Sequence, residues 1–532
     1  MNIAHRLQER LQEPCTQSGD RPAIITQKQS ISFAQLDRAS SCGAAYLQDL
    51  GLNPGDRVLV FLPMSIDLYI ALLAVFKLGI IAMFVDPSAG QTHLENCCEI
   101  APPQALLATP KASLLLLKSP ALRQIPLKLV PHISLPGLKN WYRFRAYSPS
   151  PTLYPATAET PALLTFTSGS TGKPKAALRS HGFLLTQHEV LARHLHHEPG
   201  AIDLTTLPVF ILANLASGVT SLIPAGDLRK PGFINPVPIV RQIQTHQPSS
   251  TVASPAFLER LVSYCEDHQI RLESFQCMFT GGAPVFPSLC DRLQHCATHA
   301  QIIPMYGSTE AEPIAHTSTS LSNPTSAPSS LGGLFAGHPI AEINLKIIPD
   351  SWGKPIAPLT PEAFADYTLP PLTPGEIVVS GDHVLPGYVN GEGDLETKFR
   401  VGNTPWHRTG DAGYLDSDGN LWLLGRTRAK IEDEKGILYP LSVEAIAHQF
   451  STIKRAALIS HNHQRWLILE LNPLHPPDEH QFSQLKSALE FAQIDKIKIV
   501  TKIPVDARHN AKINYPALEK LLEMTIEGRA SK

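Results

Sequence analysis

Several broad functional classes are poorly served by this 532-residue sequence. Its net charge is only −2, so it carries neither a basic stripe for nucleic acid nor a strongly acidic tail. The first ten residues, Met1 to Arg10, are charged and periodic and lack the apolar core of a secretion signal. The most apolar stretch, Ile70 to Val85, is broken by Lys77 and Gly79. It is too short to span a bilayer comfortably and reads as a buried helix, a turn and a strand. Eight cysteines lie scattered without metal-site spacing, and reduced thiols in a cytoplasmic protein are expected. The adjacent Cys97 and Cys98 do not suit a strain-free bridge. His194, His196 and His197 cluster, but no cysteine or carboxylate stands beside them at zinc-site spacing, so an exposed helix end is expected. There is no internal repeat.

What is present is a core-forming composition, 43% hydrophobic, with one conspicuous loop. Thr167-Ser168-Gly169-Ser170-Thr171-Gly172-Lys173-Pro174-Lys175 follows the apolar run Ala162 to Phe166, which reads as a buried strand. Glycines allow a tight turn and close backbone approach to a ligand. Hydroxyls and free N–H groups donate to phosphate oxygens, and lysine adds charge. A solvated Gly/Ser turn has the same composition. A Walker A loop is excluded, because two residues rather than four separate Gly169 from Gly172 and Pro174 follows Lys173.

The loop resembles the phosphate loop of the AMP-forming adenylating enzymes, a superfamily that includes acyl-CoA synthetases, peptide-synthetase adenylation domains and luciferases. Further segments resemble that superfamily's other signatures in order. They are Tyr306-Gly307-Ser308-Thr309-Glu310, Thr409-Gly410-Asp411 preceded by Trp406, Gly425-Arg426, and Pro504 to Ile513 with Lys512 near its end.

Strand–helix–strand patterning over 22–86 argues for a parallel α/β unit. In detail, Val58–Leu62 and Ile80–Val85 read as strands and Asp67–Leu78 as a helix. A Pro-rich connector, Ser148 to Pro161, leads to a second α/β region that the phosphate loop is expected to open. Thr317 to Ser330 reads as an exposed loop, and Gly332 to Leu424 as many short β runs forming a small barrel or sheet. After Arg426 the pattern becomes a compact α+β unit of ~100 residues. The fold class expected is therefore α/β. The resemblance implies an AMP-binding adenylation domain over 1–426, made of two α/β subdomains plus a small β-barrel, and a mobile C-terminal domain over 427–532.

Adenylation joins a carboxylate to the α-phosphate of ATP and expels pyrophosphate. Two anions must meet, so such a site has to neutralise charge and hold geometry. The resemblance implies ATP and Mg²⁺ as cofactors, a small-molecule carboxylic acid as partner, and CoA as one candidate acceptor. It assigns the β- and γ-phosphates to the loop, including Lys173 and Lys175. Mg²⁺ falls to Glu310, with Thr167 as a further contact, since a hard cation prefers oxygen. A glutamate at a helix N-terminus is the ordinary alternative for Glu310. Asp411 would accept from the ribose hydroxyls. Tyr306 would stack on adenine with Gly281, Gly282 and Ala283 beside the ring, and Gly307, Ser308 and Thr309 would complete that wall. Arg426 would contact ribose or phosphate. Lys512 is the expected catalytic lysine, a mobile point charge between carboxylate and α-phosphate. Arg428 stands at the hinge position, where Asp or Lys is usual. His181 is expected to be structural.

Leu207 to Gly218 resembles the segment lining the acyl pocket. It carries Phe210, Ile211, Leu212 and Leu215 and no charge, which suits a fatty or aromatic acid. No buried acidic partner for a substrate amine is evident. The run Pro504 to Ile513, with Asn510-Ala511-Lys512 in place of the usual Gly-Lys, resembles β-lactone synthetases of bacterial olefin biosynthesis and some fatty-acid–CoA ligases. The loop Ile431 to Gly436 is one residue longer than usual and carries Glu432, Asp433 and Glu434, which would repel a phosphate-bearing thiol donor. Two second steps stay open: transfer to CoA, and closure of a β-hydroxyacyl adenylate to a β-lactone. A non-catalytic acyl- or nucleotide-binding relative is the alternative of another class.

Overall fold

The computed structural model describes residues 2–12, 18–86, 89–150, 153–168, 173–317, 331–472, 479–506 and 512–526. Its first sheet has seven strands among them. In spatial order these are Lys139–Asn140, Leu127–Val130, Ala105–Ala108, Arg57–Phe61, Ile81–Phe84, Pro161–Ser168 and Pro174–Ser180. All pairs are parallel except the last. A parallel sheet is covered on both faces, so its strands are apolar throughout. Val58 and Val60 accordingly enter one core cluster while Leu59 and Phe61 enter another. The helix Ile66–Lys77 packs against the helix Phe33–Asp49, which begins in a capping box of Ser32 and Gln35. Lys77 tolerates this apolar setting because its ammonium donates to Asp37 Oδ1 and Ser41 Oγ, each at 2.7 Å. The strand Pro161–Ser168 pairs with Ile81–Phe84, so the phosphate loop closes the first sheet rather than opening a second.

The second sheet runs through fourteen strands among the described residues. Thr220–Leu222, Ile202–Thr205, Ser250–Ala253, Cys277–Gly281 and Gln301–Ser308 are parallel neighbours. From Ala311–His316 onward the sheet continues antiparallel, through Leu334–Pro339, Leu421–Arg426, Thr404–Leu415, Gly375–Ser380 and Asn344–Ile348. These are the short β runs expected over 332–424. Most of the predicted loop over Thr317 to Ser330, residues 318–330, lies outside the described residues, and Thr317 is buried. Toward the C-terminus, Ile453–His461, Gln464–Leu471 and Lys496–Val500 form a three-stranded sheet. It is flanked by the helices Pro440–Ala447, Glu479–Ala488 and Tyr515–Ile526. The first of these starts at Pro440, which suits the first helical turn. Among the described residues no helix is long and apolar enough to cross a membrane.

One buried ion pair anchors the strand that carries Asp411. Arg408 donates from Nε to Glu376 Oε1 at 2.7 Å and from Nη2 to Oε2 at 2.6 Å, with both side chains fully buried. A bidentate pair of this kind satisfies both ions, and removing one partner strands a buried charge. Glu376→Ala is therefore expected to lower the unfolding free energy by about 3–5 kcal/mol, measured by urea denaturation.

Candidate active site

Tyr306 lies near the end of the strand Gln301–Ser308, and Asp411 lies mid-strand in a neighbouring part of the same sheet. The Tyr306 hydroxyl donates to Asp411 Oδ2 at 2.8 Å. Arg426 lies opposite Asp411 in strand register and brings Nε to 3.2 Å from Oδ1. Gly410 holds φ +73°, and a Cβ there would stand 3.0 Å from the Trp352 ring, so glycine suits this irregular point of the strand. Asp411 thus presents a carboxylate already oriented by an arginine and a phenol, an arrangement able to accept from neighbouring hydroxyls.

Beside it, a cavity is lined by Leu207, Phe210, Thr280, Gly281, Tyr306 and Glu312, together with Gly282 and Gly307. Gly281 is needed for close strand approach: a Cβ would lie 2.5 Å from the Met305 carbonyl oxygen. Ala283 follows in the loop after that strand. Only Leu207 and Phe210 of the expected acyl segment face this space. Ile211 and Leu215 turn into the core shared with the first sheet, because the segment is a helix, Pro208–Ser217, and its opposite face packs there. The expectation that no acid stands in the pocket is corrected as well. Glu312 lines it, and burial pushes its carboxyl up to about 7, against the pull of the Arg179 guanidinium.

Glu310 occupies the turn between the strands Gln301–Ser308 and Ala311–His316, not a helix start. Its backbone N–H donates to Ser308 Oγ at 3.2 Å, and its Oε1 accepts from the Tyr388 hydroxyl at 2.6 Å. The Tyr388 hydroxyl also interacts with Thr167, and burial beside Glu310 raises its pKa. Thr309 supplies a carbonyl to Arg179, whose other nitrogen donates to Thr165. Lys398 reaches the same region, donating to the Leu385 carbonyl, and burial lowers its pKa to about 8 against the pull of Glu310. Among the described residues no group of three or more His, Cys, Asp or Glu could cage a metal. One carboxylate and a nearby hydroxyl suit a cation that keeps waters and phosphate oxygens as its other ligands. Glu310 and Thr167 are the residues here whose oxygens could contact such a cation.

Of the phosphate loop, Gly169, Ser170, Thr171 and Gly172 lie outside the described residues. Thr167 and Ser168 end one strand, facing Lys175 and Pro174 on the next. Lys173 is exposed, 4.0 Å from Glu392. Lys175 is buried and donates to Glu396 Oε2 at 2.7 Å. The other oxygen of Glu396 accepts from Arg428 at 2.6 Å, so one carboxylate ties Lys175 to Arg428. Lys512 is exposed and forms no ion pair with Glu310 or Asp411. Its backbone N–H donates to Asp506 Oδ1 at 2.9 Å and its carbonyl accepts from the Asp506 N–H at 2.8 Å. Ala507 to Ala511 lie outside the described residues.

Three other expectations meet the structure here. His181 is buried, accepts from the Ile3 N–H at 3.1 Å, and has its pKa lowered to about 4 by burial, which is a structural role. Only His196 of the histidine cluster is exposed. His194 is half-buried between His316 at 2.8 Å and Glu342 at 2.9 Å. In the acidic loop, Asp433 is held bidentately by Arg465 at 2.6 and 2.8 Å, so its charge is neutralised within the protein rather than offered to a thiol donor.

The model of the AMP-binding enzyme family matches residues 11–389, and the chain belongs to that family. An "Olefin beta-lactone synthetase" of Xanthomonas campestris is 29% identical over 522 residues, covering 92% of this chain and 90% of that protein. A "Long-chain-fatty-acid--CoA ligase" of Salmonella typhimurium is 24% identical, covering 85% and 82%. Among solved structures, the anthranilate CoA ligase AuaEII in complex with anthranoyl-AMP shares the fold at a TM-score of 0.81, with 17% identity and 99% and 98% coverage.

Proposed function

We propose that this enzyme activates a carboxylic acid with ATP. A carboxylate oxygen attacks the α-phosphorus, the bond to the bridging oxygen breaks, and an acyl-adenylate and pyrophosphate form. The observation that carries the reading is the junction of remote signatures: Tyr306 bonded to Asp411, and Tyr388 joining Glu310 to Thr167 at the base of the phosphate loop. On this reading Asp411 and Arg426 hold the ribose, and Tyr306, Gly307, Ser308, Gly281, Gly282 and Ala283 wall the base. Residues 167–175 hold the outer phosphates, with Mg²⁺ at Glu310, and Lys512 enters as a mobile cation. Carboxylate-dependent exchange of labelled pyrophosphate into ATP tests it. Exchange is expected with a fatty acid or hydroxy fatty acid, and its absence with every acid tried would reject the reading.

The acyl-adenylate then passes to an acceptor. CoA is one candidate, as for the fatty-acid–CoA ligase relative. Similarity over nine-tenths of the chain to an olefin β-lactone synthetase supports closure by the substrate's own hydroxyl. In that step the β-hydroxyl oxygen bonds to the acyl carbon, AMP leaves and the hydroxyl proton is lost. Incubation with ATP, Mg²⁺ and a 3-hydroxy fatty acid, with and without CoA, separates the two. Lactone formed without CoA supports closure, and a thioester with no lactone supports transfer.

A further inference from the structure

Glu312 is an odd residue to find in a cavity whose other walls include Leu207, Phe210 and bare glycine backbone. Its side chain lies against Gly307, where an added Cβ would come within 3.4 Å of the Glu312 Cγ. Arg179 attracts it electrostatically but spends its hydrogen bonds on Thr165 and the Thr309 carbonyl. Across the described residues no donor pairs with the Glu312 carboxyl. Thr280, on the same cavity, has a buried hydroxyl that is likewise without a partner. Thr280 thus leaves a buried hydroxyl unbonded, and the half-buried Glu312 carboxylate beside it meets no protein donor, so both can engage a ligand.

We propose that Glu312 and Thr280 form a recognition pair for a hydroxyl group on the substrate acid, close to the carboxyl that is adenylated. The inference rests on the adenylation reading and adds the residues that select the acid. A hydroxyl both donates and accepts, so it can give its proton to Glu312 and accept one from Thr280. An ammonium donates only, and would leave the Thr280 proton without an acceptor. A plain alkyl chain leaves both groups unpaired. Sites built to bond a substrate hydroxyl reject the analogue that lacks it far more strongly than apolar pockets reject an extra methylene.

The test compares pyrophosphate exchange for a series of fatty acids, their 2- and 3-hydroxy derivatives and their 3-amino derivatives. The wild-type protein is expected to favour a hydroxy acid over its plain counterpart at least tenfold in kcat/KM. Glu312→Leu is expected to abolish that preference while still exchanging with the plain acid. Glu312→Gln, which keeps an acceptor oxygen, is expected to retain part of it. A merely structural role for Glu312 would lower exchange with both acids alike and leave the ratio unchanged. An unchanged ratio in Glu312→Leu, no preference in the wild type, or preference for the amino acid would overturn the proposal. Absence of exchange with every acid would overturn the adenylation reading along with it.

Discussion

Lys512→Ala is expected to reduce carboxylate-dependent pyrophosphate exchange by roughly a hundred- to a thousandfold, the usual loss when a group that stabilises transition-state charge is removed. The same substitution is expected to leave the melting temperature unchanged. Lys512 is exposed, and its backbone bonds to Asp506 survive truncation, so the substitution opens no buried cavity. Two anions approach each other in the step, and an ammonium that arrives with them lowers the barrier only while it bridges both. Conversion of chemically supplied acyl-adenylate involves no such approach and is expected to proceed at the wild-type rate. Lys512→Arg keeps the charge but presents a planar fork in place of a compact ammonium, and partial activity is expected. Exchange at the normal rate in Lys512→Ala would remove this lysine from the mechanism.

The parts of this site legible in the sequence are those whose chemistry is written in consecutive residues. The Gly/Ser/Lys loop, Tyr306-Gly307-Ser308-Thr309-Glu310 and Thr409-Gly410-Asp411 each carry a local pattern. Strands such as Arg57–Phe61 and helices such as Ile66–Lys77 are legible for a similar reason, since burial imposes a period on neighbouring residues. Tyr388, Arg179, Lys398 and Glu312 were not legible. Tyr388 meets Glu310 across 78 residues, and Arg179 meets Thr309 across 130, so nothing beside them in the chain announces the contact. Glu312 follows the Thr-Glu signature by two residues, but Glu310 lies in the turn before the strand Ala311–His316, so strand alternation offered no signal for it. The acyl segment failed differently. Its largely apolar run fits a pocket wall and a core helix equally well, and only packing assigns Phe210 to the cavity and Ile211 to the core. The acidic loop after Arg428 shows the limit of counting charge in a sequence, since Arg465, 32 residues from Asp433, pairs with one of its three carboxylates while Glu432 and Glu434 stay exposed.

Asp411→Asn is expected to raise the KM for ATP roughly ten- to a hundredfold, because a hydrogen bond to a charged group contributes about 1.5–3 kcal/mol. The substitution keeps the shape of the side chain and leaves Arg426 without its ion pair. The diagnostic quantity is discrimination rather than affinity. Wild-type protein is expected to prefer ATP to 2′-deoxy-ATP, since the deoxy sugar withdraws one donor from a carboxylate placed to accept it. In Asp411→Asn the amide oxygen is a weaker acceptor, so that preference is expected to shrink while the 2′-deoxy substrate loses less. A Tyr306→Phe control removes the phenol that donates to Asp411 at 2.8 Å but leaves the carboxylate, and should keep most of the discrimination. The two variants thus separate the group that contacts the sugar from the group that orients it. Steady-state exchange kinetics with both nucleotides give the three ratios. Equal discrimination in wild type and Asp411→Asn would mean that the ribose is held elsewhere, and the assignment of Asp411 would fall.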